Sequence, residues 1–187
     1  MRYRPARPDD AAALAAIHAP YAAETAVTFQ VEPSTESMFR HKIQEISPRY
    51  PFLVCEEEGR IAGFAYAAAF RTKEAYQWDV ELTVYLARDC QGKGIGSGLY
   101  QRLLTLLRAQ GFAAAYACVT VPNEASDALH RRFGFREVGR FPASGYKLGR
   151  WHDVVWYHLS LGELPDPPPP PLPFSALPAE KVSEALA

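Results

Sequence analysis

The sequence predicts a mixed α/β domain, and three features carry that prediction. Short stretches of strand composition alternate with longer stretches of helical period. A glycine-rich turn at residues 91–98 links one such strand to one such helix. Apolar residues make up 48% of the 187, enough to bury a core within one domain.

The elements follow in order. Asp9 and Asp10 can cap an Ala-rich helix that carries Leu14, Ile17 and Tyr21 on one side. Ser34, with Glu36 and Ser37 close behind, opens a second helical stretch through Met38, Phe39, Ile43 and Ile46. Phe52 to Glu56 and Ile61 to Phe70 read as strands of a hairpin whose acidic turn ends at Gly59. Val80 to Ala87 is a further strand. From Ile95 to Gln110 the apolar residues Ile95, Leu99, Leu103, Leu106 and Leu107 share a helical face, and Gly111 stops the helix. Phe112 to Val121 reads as a buried strand, and Asn123 to Phe133 as a short helix ended by Gly134. Two strands around Val138 and Val154 to Leu161 follow.

The chain divides into a folded part, residues 1–162, and a proline-rich tail, residues 163–187. Pro167 to Pro171 are an unbroken proline run, with Pro173 and Pro178 beyond. Proline lacks an amide donor and has a fixed φ, so this segment is expected in neither a sheet nor a long helix. A polyproline II strap and disorder both satisfy that constraint. A tract of this kind can also serve as a ligand for small aromatic-grooved domains.

Charge and cysteine usage exclude several function classes. Lys and Arg number 20 against 21 for Asp and Glu, a formal charge of -1, which gives no basic footprint for nucleic acid and no polybasic face for a membrane surface. Cys55, Cys90 and Cys118 share no metal-ligand spacing and read as free thiols in a reducing compartment. Cys118, on an apolar strand, reads as core, and Tyr100 and Tyr157 read as packing residues. The opening residues lack the apolar segment of a signal peptide, and Ile61 to Phe70 is too short to cross a bilayer. A cytoplasmic protein is expected. His152, Asp153 and His158 show no metal-site spacing, and no metal is expected.

The stretch Glu81 to Tyr100, ELTVYLARDCQGKGIGSGLY, carries the chemistry. A helix N-terminus presents unpaired N–H groups and about half a positive charge, which makes an anion site. Gly92, Gly94, Gly96 and Gly98 permit close backbone approach to phosphate oxygens, and Lys93 adds a cation. A dinucleotide fingerprint fails, because Leu99 or Ser97 stands where its third glycine belongs. A Walker A loop fails as well, because Lys93 precedes Gly94 instead of a Ser or Thr.

Gln91-Gly92-Lys93-Gly94-Ile95-Gly96 resembles the pyrophosphate loop of the GNAT superfamily of acetyl-CoA-dependent N-acetyltransferases. Asn123-Glu124-Ala125-Ser126 and His130-Arg131-Arg132-Phe133-Gly134-Phe135 resemble that superfamily's next helix and the turn that ends it. Further stretches resemble its phosphinothricin and methionine sulfone/sulfoximine acetyltransferase branch. These are Tyr50-Pro51-Phe52-Leu53-Val54, Ala75-Tyr76-Gln77-Trp78, Glu81-Leu82-Thr83-Val84-Tyr85, Ala109-Gln110-Gly111-Phe112, Pro122-Asn123 and Gly149-Arg150-Trp151-His152-Asp153-Val154. The resemblance covers nearly the whole folded part, from about residue 2 to 162.

The resemblance implies a mixed, largely antiparallel sheet flanked by helices, with the strand Glu81–Ala87 splayed from Phe112–Val121. Acetyl-CoA would then lie along Val84, Tyr85 and Leu86, on Gly92, Lys93, Gly94, Ile95, Gly96 and Ser97, and beside Asn123. Glu81 is expected as general base, since a lone carboxylate in an apolar strand is costly and its burial raises the pKa. His130 stands where the branch has a catalytic histidine, able to take a proton or return one. Arg71, Lys73, Tyr76 and Phe29 are expected to hold an acceptor with a carboxylate and a second polar head. The Lys/Arg order is reversed relative to the branch, and Thr28 and Thr120 also depart from it. A small amino-acid-like amine is the expected acceptor and a homodimer the expected assembly. Two alternatives are a different amine, such as a polyamine, aminoglycoside or protein N-terminus, and a non-catalytic acyl-CoA sensor.

Overall fold

The computed structural model describes all 187 residues. Strands β1 (Arg2–Pro5), β2 (Phe52–Glu57), β3 (Arg60–Ala69), β4 (Asp79–Leu86), β5 (Ala114–Val121), β6 (Arg136–Lys147) and β7 (Arg150–Ser160) form one sheet. The helices are α1 (Ala11–Glu24), α2 (Glu36–Ile46), α3 (Ile95–Gln110), α4 (Glu124–Arg132) and α5 (Ala179–Leu186). The sequence signals for β2 to β7 and α1 to α4 correspond to these elements. No signal anticipated β1, a four-residue edge strand too short to show a period, or α5.

Two capping expectations change. Thr35, not Ser34, caps α2, its hydroxyl accepting from the Met38 amide at 3.3 Å. Asp10 makes no side-chain cap on α1. Its carboxylate accepts instead from the Arg4 guanidinium at 2.7 and 2.8 Å and from the Arg7 amide at 2.7 Å, tying the start of α1 to β1.

The strand order is β1-β2-β3-β4-β5-β7-β6. Every neighbouring pair is antiparallel except β4 and β5, which are parallel and joined through α3. That parallel ladder is short: Asp79 faces Ala114, Val80 faces Ala115, Glu81 faces Tyr116, and pairing ends there. Beyond Glu81 the middle of the sheet opens.

Each face of the sheet has its own core. Against α3 pack Leu53, Val80, Leu82, Ala115, Ala117 and Val155, with Leu99, Leu103, Leu106 and Leu107 from the helix. On the other face Leu14, Ile17, Phe39 and Ile43 of α1 and α2 cover Phe52, Val54 and Phe64. Alternation along β4 puts Val80, Leu82, Val84 and Leu86 on the α3 face and Glu81, Thr83 and Tyr85 on the other.

The tail is a strap. The Trp78 indole donates to the Pro169 carbonyl at 2.7 Å, and the Leu172 amide donates to the Gln110 carbonyl at 2.8 Å. Leu177 is buried in the α3-side core, and α5 lies on α3, where Arg102 donates to the Leu186 and Ala187 carbonyls. No helix is long and apolar enough to cross a membrane.

Candidate active site

The opening between β4 and β5 leaves backbone groups without sheet partners. The Ala87 amide donates to the Ala62 carbonyl, which places Tyr85, Thr83 and Glu81 at the positions that exchange hydrogen bonds with β3. The N–H and C=O groups of Val84 and Leu86 therefore face the gap. The Leu86 carbonyl accepts there from the Tyr21 hydroxyl at 2.6 Å, and Gln91 donates in turn to that hydroxyl at 2.8 Å. Tyr85, expected to offer its backbone with Val84 and Leu86, has it engaged with β3 and presents its ring to the gap instead.

At one end of the gap the chain turns through Gly92 (φ 75°) and Gly94 (φ 81°) into α3. Both are left-handed conformations that a side chain would strain. The amides of residues 92–97 have no acceptor within the chain, so six donors and the positive end of a 16-residue helix converge on this turn. Gly92, Gly94, Gly96 and Ser97 line a cavity of about 830 Å³.

Two residues of the loop play other parts than expected. The Lys93 ammonium is drawn off to Glu57, 3.5 Å away, outside the cavity wall. Gly98 belongs to packing, because a methyl group there would meet the Tyr3 hydroxyl within 2.0 Å. Ile95 offers only its amide, since its side chain is fully buried in the core. The cations on the cavity wall are Arg132 and Arg88, the latter paired with Glu24 at 2.7 Å; neither is among the expected cofactor ligands. Asn123 caps α4 by accepting from the Ser126 amide at 3.2 Å and also borders the cavity.

A second cavity, about 340 Å³, shares Val84, Tyr85, Asn123 and Ser126 with the first and passes through the opened sheet. Glu81 lies on one side, on the α1/α2 face. Burial pushes its carboxyl above the usual range, and the Arg71 charge offsets part of that shift.

His130 lies on the other side, 2% exposed. Its Nδ1 is 2.7 Å from the Ser126 carbonyl, which can only accept, so Nδ1 carries the proton. Nε2 then accepts from the Tyr100 hydroxyl at 2.9 Å. The imidazole stacks on Tyr157 and meets Phe135 edge-on. Burial lowers its pKa, opposed by the Ser126 hydrogen bond and the Asp127 charge, so the ring is neutral at pH 7. Tyr100 is thus more than packing. Its hydrogen bond to a histidine 30 residues away leaves no trace in sequence spacing.

The other expected acceptor residues divide between the cavity wall and the exposed surface outside it. Phe29 lines the smaller cavity. The segment that carries it is tied down by Lys147, whose ammonium donates to the Thr28 and Gln30 carbonyls at 2.8 and 2.7 Å. Arg71, Lys73 and Tyr76 are exposed and do not line the cavity. Arg71 lies over the Phe70 ring at 4.1 Å, near enough for its charge to act on Glu81. Cys118, read as core, is exposed in the cavity wall, because β5 turns residues 118 and 120 towards the face of Glu81.

A sheet opened between two parallel strands, with unpaired backbone groups along the gap and an anion-binding helix start at its end, defines an acyltransferase of the acetyl-CoA-dependent class. The chain belongs to the GNAT acetyltransferase family: residues 4–156 match the acetyltransferase (GNAT) domain. It is 40% identical over 177 residues to phosphinothricin N-acetyltransferase of Streptomyces viridochromogenes, covering 95% of this chain and 96% of that one. It is also 40% identical over 113 residues to an L-methionine sulfoximine/L-methionine sulfone acetyltransferase of Pseudomonas paraeruginosa, covering 60% and 66%. The crystal structure of a phosphinothricin acetyltransferase of Sinorhizobium meliloti with acetyl-CoA superposes with a TM-score of 0.83, at 33% identity, over 86% of this chain and 88% of that one. The protein is an acetyl-CoA-dependent N-acetyltransferase.

Proposed function

We propose that the chain acetylates the α-amino group of a phosphinothricin- or methionine sulfone-type amino acid, with Glu81 as general base. The observation that carries this reading is the half-buried Glu81, alone among carboxylates in a cavity that runs through the sheet opening to His130. The similarity to phosphinothricin and methionine sulfoximine/sulfone acetyltransferases supports the acceptor class.

Acetyl-CoA supplies the acetyl group as a thioester. The free amides of residues 92–97, with Arg132, suit its phosphates, and the Val84 and Leu86 backbone suits its amide-bearing arm. An ammonium cannot attack a carbonyl, so Glu81 first takes a proton from the acceptor. Its raised pKa suits that exchange near neutral pH. On the opposite wall the Tyr100 hydroxyl, 2.9 Å from His130 Nε2, can turn its proton to the departing thiolate while Nε2 relays to it a proton released by the attacking nitrogen.

The test is CoA release by the purified protein with methionine sulfone, methionine sulfoximine, phosphinothricin, ordinary amino acids, spermidine and an aminoglycoside. Turnover confined to the first three is expected. Turnover only on spermidine or the aminoglycoside overturns the acceptor assignment, and none with acetyl-CoA still bound favours the sensor alternative. We place the protein in the cytoplasm and propose a homodimer formed through the β6–β7 hairpin. There Val138, Phe141, Tyr146 and Trp151 are all more than half exposed. Sedimentation at micromolar concentration checks the assembly, and a monomer refutes it.

A further inference from the structure

The cavity that contains Glu81 has a second polar group of side chains, on α1 and α2, with no part in the chemistry above. His18 of α1 is 5% exposed, lines the cavity, and has no hydrogen-bond partner for its Nδ1. Lys42 of α2 lines the same wall, 3.5 Å from the Tyr66 hydroxyl and over the rings of Phe39 and Tyr66 at 5.3 and 5.4 Å. None of the chain's ion pairs includes Lys42. Glu81 is the only carboxylate in the cavity wall, and the charge that acts on it is that of Arg71. The buried imidazole without a partner carries a desolvation cost, and the ammonium beside it, with no counter-charge in the chain, is available to an anion bound there.

We infer that Lys42 and His18 form a subsite for a second anionic oxygen group of the acceptor, at the end of its side chain away from the reacting amine. This rests on the acetyltransferase reading of the same cavity. The spacing fits. Tyr66 stands opposite Thr83 in the β3–β4 ladder, and Thr83 is the next residue after Glu81 on that face of β4, about 7 Å along the strand. His18 meets the Tyr85 ring edge-on at 4.9 Å, one step further. An amine at Glu81 and an oxyanion at Lys42 are therefore separated by about the length of a glutamate-like side chain. Lys42 supplies the charge and His18 donates one N–H.

The experiment compares phosphinothricin, whose side chain ends in an anionic phosphinate, with methionine sulfone, whose head is neutral. In Lys42→Met, KM for phosphinothricin is expected to rise at least tenfold more than KM for methionine sulfone, and Lys42→Arg to recover most of the difference. His18→Phe is expected to act in the same direction with a smaller effect. Equal changes for the two acceptors, or none, would overturn the subsite. Calorimetric titration of both compounds into wild type and Lys42→Met reads the subsite without turnover: selective loss of phosphinothricin binding supports it, and unchanged binding overturns it. Failure of the functional reading is distinct, since the wild type would then acetylate neither compound.

Discussion

Glu81 sits at the last position of β4 that pairs with β5, so its backbone is held by the ladder while its side chain enters the opening. Glu81→Gln keeps that geometry and removes the base. We expect kcat to fall by roughly 10²- to 10⁴-fold with the affinity for acetyl-CoA preserved, as measured by turnover and calorimetry. In the wild type, kcat/KM should fall as pH drops through a Glu81 pKa above the ordinary value of about 4.3, and the variant should lack that acid limb. Asp10 tests stability at the same scale. Burial raises its pKa, but the hydrogen bonds from Arg4 and Arg7 outweigh this and hold it below the usual range. Its contribution is therefore full above the unfolded value of about 3.9 and is lost as pH falls through the lower native value. Asp10→Asn leaves Arg4, 12% exposed, with Glu56 as its only carboxylate partner. A loss of about 1.5–3 kcal/mol at pH 7, shrinking in acid, is expected from denaturant titration.

Among the elements, the β4–loop–α3 unit was the most legible in the sequence. An uninterrupted strand, glycines that permit positive φ, and a helical apolar stripe are local properties. The segment carrying Phe29 was much less so, because its position depends on Lys147, more than a hundred residues on and buried against the Thr28 and Gln30 carbonyls. Lys147→Met should release that segment. Two hydrogen bonds to a charged donor are lost, so KM for the acceptor is expected to rise about tenfold while KM for acetyl-CoA stays unchanged. Steady-state kinetics with each substrate varied in turn would check this, and equal rises in both KM values would refute it. Arg71, Lys73 and Tyr76, close together in sequence, stay exposed outside the cavity wall, with Arg71 and Tyr76 both against the Phe70 ring.

For the whole molecule, the tail is the largest departure from what local sequence conveys. Its proline composition permits either a strap or disorder. The strap forms because Trp78 and Gln110 supply hydrogen bonds and the α3-side core accepts Leu177. Phe174, Val182 and Leu186 also pack on that core. Ending the chain after Gly162 would bare this surface. Burial of Leu177 alone is worth about 1.5–3 kcal/mol, so a loss of at least about 3 kcal/mol is expected from thermal or denaturant unfolding. An unchanged midpoint would show that the tail only rests on the surface.

The sequence by itself determined the alternation of strands and helices, the anion-binding turn, the family, and the identity of Glu81 and His130 as candidates. The first two depend on period and backbone freedom, which are written locally; the family and the two candidates rest on the resemblance of motifs spread along the chain. Only the tertiary structure decided that Val84 and Leu86, not Tyr85, turn their backbone into the gap. It also decided that His130 is held by Tyr100 and Ser126, that Lys93 is drawn off to Glu57, and that Cys118 faces the cavity. Each of these follows from strand register or from contacts between distant segments. A one-residue change of register reverses which groups face the opening, and nothing in local composition records that choice.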